Sequence, residues 1–179
     1  MIDLDFTQDM IDKAIDISSD IGKLKDSFTE GKRQWVGILG ELALKNYCKD
    51  FLIPTDNFYN NDMTLSINNI DYKVEIKTKS NYFKEFSIAE TSLHQKPSYY
   101  MFLSIICGHY RKDNYKEAFE CNKVKKIYLC GMAKYDYFIN SARFYPKGHL
   151  HPNNFRSPVN QYNIFQHELE IVDFIKGFG

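Results

Sequence analysis

Apolar positions in the first fifty residues recur at helical spacing. Ile11, Ala14, Ile15 and Ile21 follow Thr7, a plausible N-cap, and predict an amphipathic helix over 8–27 that Gly31 breaks. Trp35, Leu39, Leu42 and Ala43 form the stripe of a second helix over 32–50, closed by Pro54. The period then falls to two. Met63–Ile67 and Ile70–Lys79 alternate around Asn68-Asn69, the signature of a β-hairpin. Ser87, with Glu90 three residues on, reads as a capping box for a helix over 87–95 that Lys96-Pro97 stops. Tyr99–Cys107 is almost continuously apolar or aromatic, as in a strand covered on both faces, and 126–132 resembles it. A short helix over 133–145, a loop rich in Pro, Asn and His over 146–160, and a last element over 166–175 complete the chain. Neither an internal repeat nor a low-complexity linker interrupts it, so one domain over 1–179 is expected. Its fold class is α/β, a mixed central sheet flanked by helices.

The hairpin carries the first chemical signal. With Asn68-Asn69 as a two-residue turn, Ile67 pairs with Ile70 and Asp62 falls opposite Glu75. Met63, Val74, Leu65 and Tyr72 share one face, while Asp62, Thr64, Ser66, Asp71, Lys73, Glu75, Lys77 and Lys79 share the other, polar one. Two carboxylates on adjacent strands, with Cβ atoms about 5 Å apart, repel unless a cation lies between them. An oxygen-rich pair of this kind suits Mg²⁺, with Mn²⁺ as a substitute. Lys77 would sit beside the pair, where an ammonium can orient or deprotonate an attacking water and stabilise negative charge. Taken by itself, Glu75-Ile76-Lys77 is more often part of an ordinary solvated strand.

The second signal is Glu41, whose helical neighbours Ile38 and Leu44 are apolar. Gly37 and Gly40 weaken a helix interior by about 1 kcal/mol each, which points to close approach of another backbone or a ligand. Either Glu41 reaches over the sheet edge towards Asp62 and Glu75, or it lies in solvent beside the stripe. Lys32 and Arg33, near the helix start, could meet phosphate.

Composition moderates this picture. Lys plus Arg and Asp plus Glu are equal at 23, so the global basic field of many nucleic-acid binders is missing, and any such surface must be local. Cys48, Cys107, Cys121 and Cys130 form no CxxC pair, which suits reduced thiols and argues against structural zinc. No apolar run approaches the roughly 18 residues of a membrane span, and the acidic N-terminal stretch is unlike a secretion signal; a cytoplasmic protein is expected.

Gly40-Glu41 in an early helix, Asp62 opening a strand and Glu75-Ile76-Lys77 in the next strand resemble, in order and spacing, the PD-(D/E)XK nuclease superfamily. The expected helix over 87–95 and strand over 99–107 extend the likeness to its α-β-β-β-α-β, restriction endonuclease-like core over about residues 31–132, leaving 133–179 as a possible substrate-recognition extension. Asn61 stands where the motif's proline would be. The resemblance implies a metal-dependent DNA endonuclease, restriction-like or associated with mobile elements or defence, using one or two Mg²⁺ and often acting as a homodimer. Asp62, Glu75 and the Ile76 carbonyl would hold metal, Lys77 would position the water, and Glu41 would hold a second metal or a metal-bound water. Gln95 would line the site, and Lys79 is a further candidate for substrate contact.

Two other readings stand beside it. His149-Leu150-His151, with Asn153, Asn154 and His167, invites comparison with histidine-based metal nucleases, or is a polar loop that touches DNA with Arg143, Lys147 and Arg156. A non-catalytic nucleic-acid- or protein-binding module on the same fold is the alternative to an enzyme. A metabolic enzyme finds no support, since the chain has no GxGxxG, no GxxxxGK[ST] and no GxSxG.

Overall fold

The computed structural model describes residues 1–21, 34–53, 62–80, 84–107, 123–151, 154 and 156–170. Lys32, Arg33, Asn61, Cys121, Asn153 and the ends of the elements expected over 8–27 and 166–175 lie outside them.

A six-stranded sheet forms the centre. Its strands are β1 (Ile2–Leu4), β2 (Leu52–Ile53), β3 (Met63–Ile67), β4 (Ile70–Ser80), β6 (Tyr99–Cys107) and β7 (Val124–Lys134), in the order β1-β7-β6-β4-β3-β2. Only β4 and β6 run parallel; the remaining pairs are antiparallel, so the sheet is mixed. The β3–β4 hairpin has the expected register, Ile67 with Ile70 through Met63 with Val74. Asn68 and Asn69 both take positive φ, 53° and 62°, the turn geometry whose twist matches that of the strands.

Helices α1 (Gln8–Ile21) and α2 (Gln34–Tyr47) cover one face of this sheet. The Thr7 hydroxyl accepts from the Met10 amide at 3.3 Å, the expected N-cap. Leu39, Ala43 and Leu44 of α2 are buried with Val74 and Ile76 of β4 and Met101 and Leu103 of β6. Gly40 is where α2 comes closest: a Cβ built there would lie 2.1 Å from Thr78 Oγ1 on β4. The same test at Gly37 meets nothing within 4 Å, so the close approach belongs to Gly40 alone.

The other face differs from expectation. Residues 87–95 do not form a helix: β5 (Glu85–Ala89) is a strand, followed by a 3-10 turn over Glu90–Gln95. Phe86 and Ile88 alternate with Glu85, Ser87 and Ala89, and burial of that apolar pair outweighs the local capping signal at Ser87. β5 joins β8 (Arg143–Tyr145) and β9 (Gln161–Phe165) in a small sheet of order β5-β9-β8. With the short helix α3 (Tyr135–Ser141) it buries Phe86, Ile88, Phe138 and Ile164 against Tyr100, Phe102, Cys130 and Ala133 of the central sheet. Helices therefore flank one face, and a sheet with one short helix covers the other. Gly131, at φ 156°, marks the bulge in β7 opposite Phe102 and Leu103, where Leu169 crosses 2.7 Å from any added Cβ.

Gly40→Ala is expected to lower unfolding stability by roughly 1–3 kcal/mol, as overpacking does. Gly37→Ala should be neutral or stabilising by up to about 1 kcal/mol. Urea unfolding of both variants checks the contrast, and equal effects would contradict the α2–β4 contact.

Candidate active site

β3 is five residues long and β4 eleven, and their ladder ends at the pair Met63–Val74. Beyond it the Ile76 amide needs another acceptor, and Asp62 Oδ2 accepts its hydrogen at 2.6 Å. The N–H and C=O of one residue in an extended strand point to the same side, so the Ile76 carbonyl also faces the Asp62 side of β4.

Glu75, next along β4, points to the opposite face of the sheet from Val74 and Ile76, beside Tyr100 of β6. The polar face predicted for β4 is not open to water at this point. Glu75 is only 3% exposed, roofed by the Glu90–Gln95 turn and the β6 aromatics. Its Oε1 accepts from Lys77 Nζ at 2.5 Å. With the Gln95 amide turned so that its nitrogen faces acceptors, Gln95 donates to the same oxygen at 3.0 Å and to the Ser92 carbonyl at 3.2 Å. Glu75 Oε2 is buried with no protein partner, and so is the hydroxyl of Tyr100. Burial pushes the Tyr100 phenol well above its ordinary range, with the nearby Tyr135 and Glu75 adding to the effect.

Glu41 reaches the same site from α2. Burial, then the charge of Asp62, raise its carboxyl to about 7, while Lys45, at 3.6 Å, opposes the rise. Burial also raises Asp62, against the Ile76 amide and Lys77, and it raises Glu75, where the Asp62 charge adds to the shift. Glu41 is thus half-buried within reach of the Asp62 charge, with part of its side chain still in solvent beside Lys45. Glu41, Asp62, Glu75, Ile76, Lys77 and Gln95 converge. Lys79 is near but committed elsewhere: its ammonium donates to the Glu85 carbonyl at 2.8 Å and to Ser87 Oγ at 3.2 Å, and burial lowers its pKa to about 8.

Sequence reasoning missed three neighbours. Lys45 pairs with Glu41 one helical turn away, a spacing readable in the sequence. Tyr100 and His94 carried no such signal. His94 stands close enough for its charge to pull the Glu75 carboxyl down.

The chain matches no protein-family model and no characterised protein.

Chemistry then has to be judged from the groups themselves. Among the described residues no cysteine suits a nucleophile, because burial pushes the Cys48 thiol up to about 12 and those of Cys107 and Cys130 up to about 11. Among the described residues no set of three or more His, Cys, Asp or Glu is drawn together tightly enough to enclose a metal ion. An ion that keeps most of its waters and takes one or two carboxylates asks for less. The unpaired Glu75 Oε2, the nearby Asp62 carboxylate and the hard-oxygen donor set fit a hydrated Mg²⁺ or Mn²⁺.

Carboxyls with raised folded-state pKa values hold protons that the unfolded chain has released, so stability falls as pH rises. For Glu41 the window runs from its ordinary 4.5 to about 7. Without divalent ions, the urea midpoint should drop between about pH 5 and about pH 8, and Glu41→Gln should remove much of that drop. A wild-type midpoint that rose over this range would contradict the burial of these carboxyls.

Proposed function

We propose that this protein is a metal-dependent phosphodiester hydrolase acting on DNA, of the PD-(D/E)XK, restriction endonuclease-like kind. The observation that carries the reading is Glu75: a carboxylate buried beside Asp62, with one oxygen held by Lys77 and Gln95 and the other left without a partner. A purely structural carboxylate would have both oxygens satisfied or lie in water. The hairpin register, Glu41 above the site and the parallel β4–β6 pair support the same reading. One departure from the family's core is that β5 and a 3-10 turn occupy 85–95, where a helix is expected. Gln95 nevertheless lines the site from the end of that turn.

In this reading Asp62 and Glu75 hold Mg²⁺, the Ile76 carbonyl assists, and Glu41 takes a second ion or its water. The ion supplies charge neutralisation at the phosphate and a lowered pKa for a bound water. The protein's own groups do the rest. Asp62 is fixed by the Ile76 amide, so its orientation is set by the strand. Lys77, partly exposed, orients the attacking water and balances charge developing on the phosphate oxygens. Gln95 holds Glu75 in place, and Lys45 tempers the charge of Glu41.

A second reading, a nucleic-acid- or protein-binding module without catalysis, draws on the internal pairs Lys77–Glu75 and Lys45–Glu41, which neutralise two of the carboxylates without a metal. Cleavage of plasmid and single-stranded DNA with and without Mg²⁺ separates the two. Wild type should cut only with Mg²⁺, and Lys77→Ala and Asp62→Ala should each lose about 100-fold or more. Equal cutting by all three proteins would place the activity elsewhere, and no cutting under any condition favours the binding module.

A further inference from the structure

The small sheet has a second face, turned away from the central sheet. Phe86, Ile88 and Ile164 point inward, so the pairing register puts Glu85, Asn163, Phe165, Arg143 and Tyr145 on the other face. The described residues after β8, 146–151, 154 and 156–160, lie over this face and are tied down at several points. The Gly148 amide donates to the Ser157 carbonyl at 2.8 Å, and the Ser157 amide to that of His149 at 2.9 Å. Asn160 accepts from the Lys147 amide at 2.8 Å and donates to Glu90 Oε2 at 2.9 Å. Buried His151 bonds to Ser157 Oγ at 2.9 Å.

Three rings are packed together beneath this segment. The centroid of Tyr145 lies 4.6 Å from that of His149 and 4.8 Å from that of His151, and the two imidazoles stand nearly perpendicular, 4.9 Å apart. They border a cleft of about 610 Å³ that Phe165, Asn154 and Glu85 also line. The cleft is open on one side and has room for a single planar ring between aromatic and polar groups.

We propose that this cleft holds one unpaired nucleobase of a nucleic-acid strand, guanine in preference to thymine. An accessible aromatic ring stacks on any base, and Tyr145 and His149 are the half-buried rings that can do so, since Phe165 already lies under the Arg143 guanidinium at 4.4 Å and against His167. The Glu85 carboxylate selects among them, because it accepts from N–H groups and repels carbonyl oxygens. Guanine offers two adjacent donors, at N1 and N2; thymine offers one between two carbonyls. Lys147 and Arg156 are exposed on the covering segment, where they can meet phosphates, Arg156 also donating to the Gly148 carbonyl at 3.2 Å, whereas Arg143 is committed to Glu168 through bonds of 2.9 and 2.8 Å. The cleft is also tied to the carboxylate site. Lys79 bonds the Glu85 carbonyl and lies four residues along β4 from Glu75, about 13 Å of strand. That the strand is DNA rests on the hydrolase reading above; the cleft itself does not.

Fluorescence anisotropy tests the assignment, using the full chain carrying Lys77→Ala, without divalent ions, and labelled thymine decamers with or without one central guanine. The guanine strand should bind about fivefold or more tightly than the all-thymine strand, and Glu85→Gln should abolish that preference. Tyr145→Ala should weaken both strands by about tenfold, with Tyr145→Phe retaining affinity. Equal affinity for the two strands, or a preference that survives Glu85→Gln, overturns the proposal. Free deoxyguanosine monophosphate binding as tightly as the strand would assign a free-nucleotide site and also overturn it. Loss of DNA cleavage with base preference intact defeats the hydrolase reading alone, and cleavage without base preference defeats the cleft alone.

Discussion

One hydrogen bond organises the site: the Asp62 carboxylate takes the Ile76 amide that β3 leaves behind when its ladder with β4 ends. A strand amide in the interior must find an acceptor, and supplying it from a side chain fixes an anion at the edge of the sheet. Everything nearby follows from that placement. Glu75 precedes Ile76 on β4, Glu41 arrives over the same edge because Gly40 lets α2 settle against Thr78, and one buried and two half-buried acids come to share a region. Burial raises the pKa of all three, the charge of Asp62 adds to the rise at Glu41 and Glu75, and the two lysines that answer them offset this only in part.

The covering of Glu75 turns an ordinary charged strand into a site. Alternation on β4 would leave Glu75, Lys77 and Lys79 facing water if the sheet had only its helical layer. The β5-β9-β8 sheet closes that side instead, and it converts each polar residue into a contact: Glu75 under Gln95, Lys77 on Glu75, and Lys79 on β5. The aromatic richness of the chain serves this interface. Tyr100, Phe102, Phe86 and Phe138 fill it, with ring centroids 5.0 to 6.3 Å apart for the pairs in contact.

Where a local pattern and the tertiary environment agree, the sequence was readable. The Asn68-Asn69 turn set the hairpin register to the residue, Thr7 capped α1, and the nearly continuous apolar run of 99–107 became the doubly covered β6. The convergence of Asp62, Glu75 and Lys77 was legible because it depends on that register alone. Residues 87–95 misled because Ser87 and Glu90 have helix-starting chemistry, whereas Phe86 and Ile88 have strand periodicity, and the partner that decided between them, β9, is far away in sequence. Tyr100 and His94 were invisible for the same reason: their roles come from which strand or turn lies over Glu75. β1 and β8 are three residues each, too short for any period to register.

That distant partner has a consequence for how the protein comes into being. β5 pairs with β9 across more than seventy intervening residues, and Asn160 anchors the turn that carries Gln95 by bonding Glu90. Such non-local pairing forms late, after the loop-closure entropy has been met. During synthesis the hairpin and α2 can assemble while Glu75 still faces solvent, and the roof over it closes only once residues 160–165 have emerged. A growing chain would therefore carry Glu75 in water and acquire the enclosed environment around it as one of its last folding events.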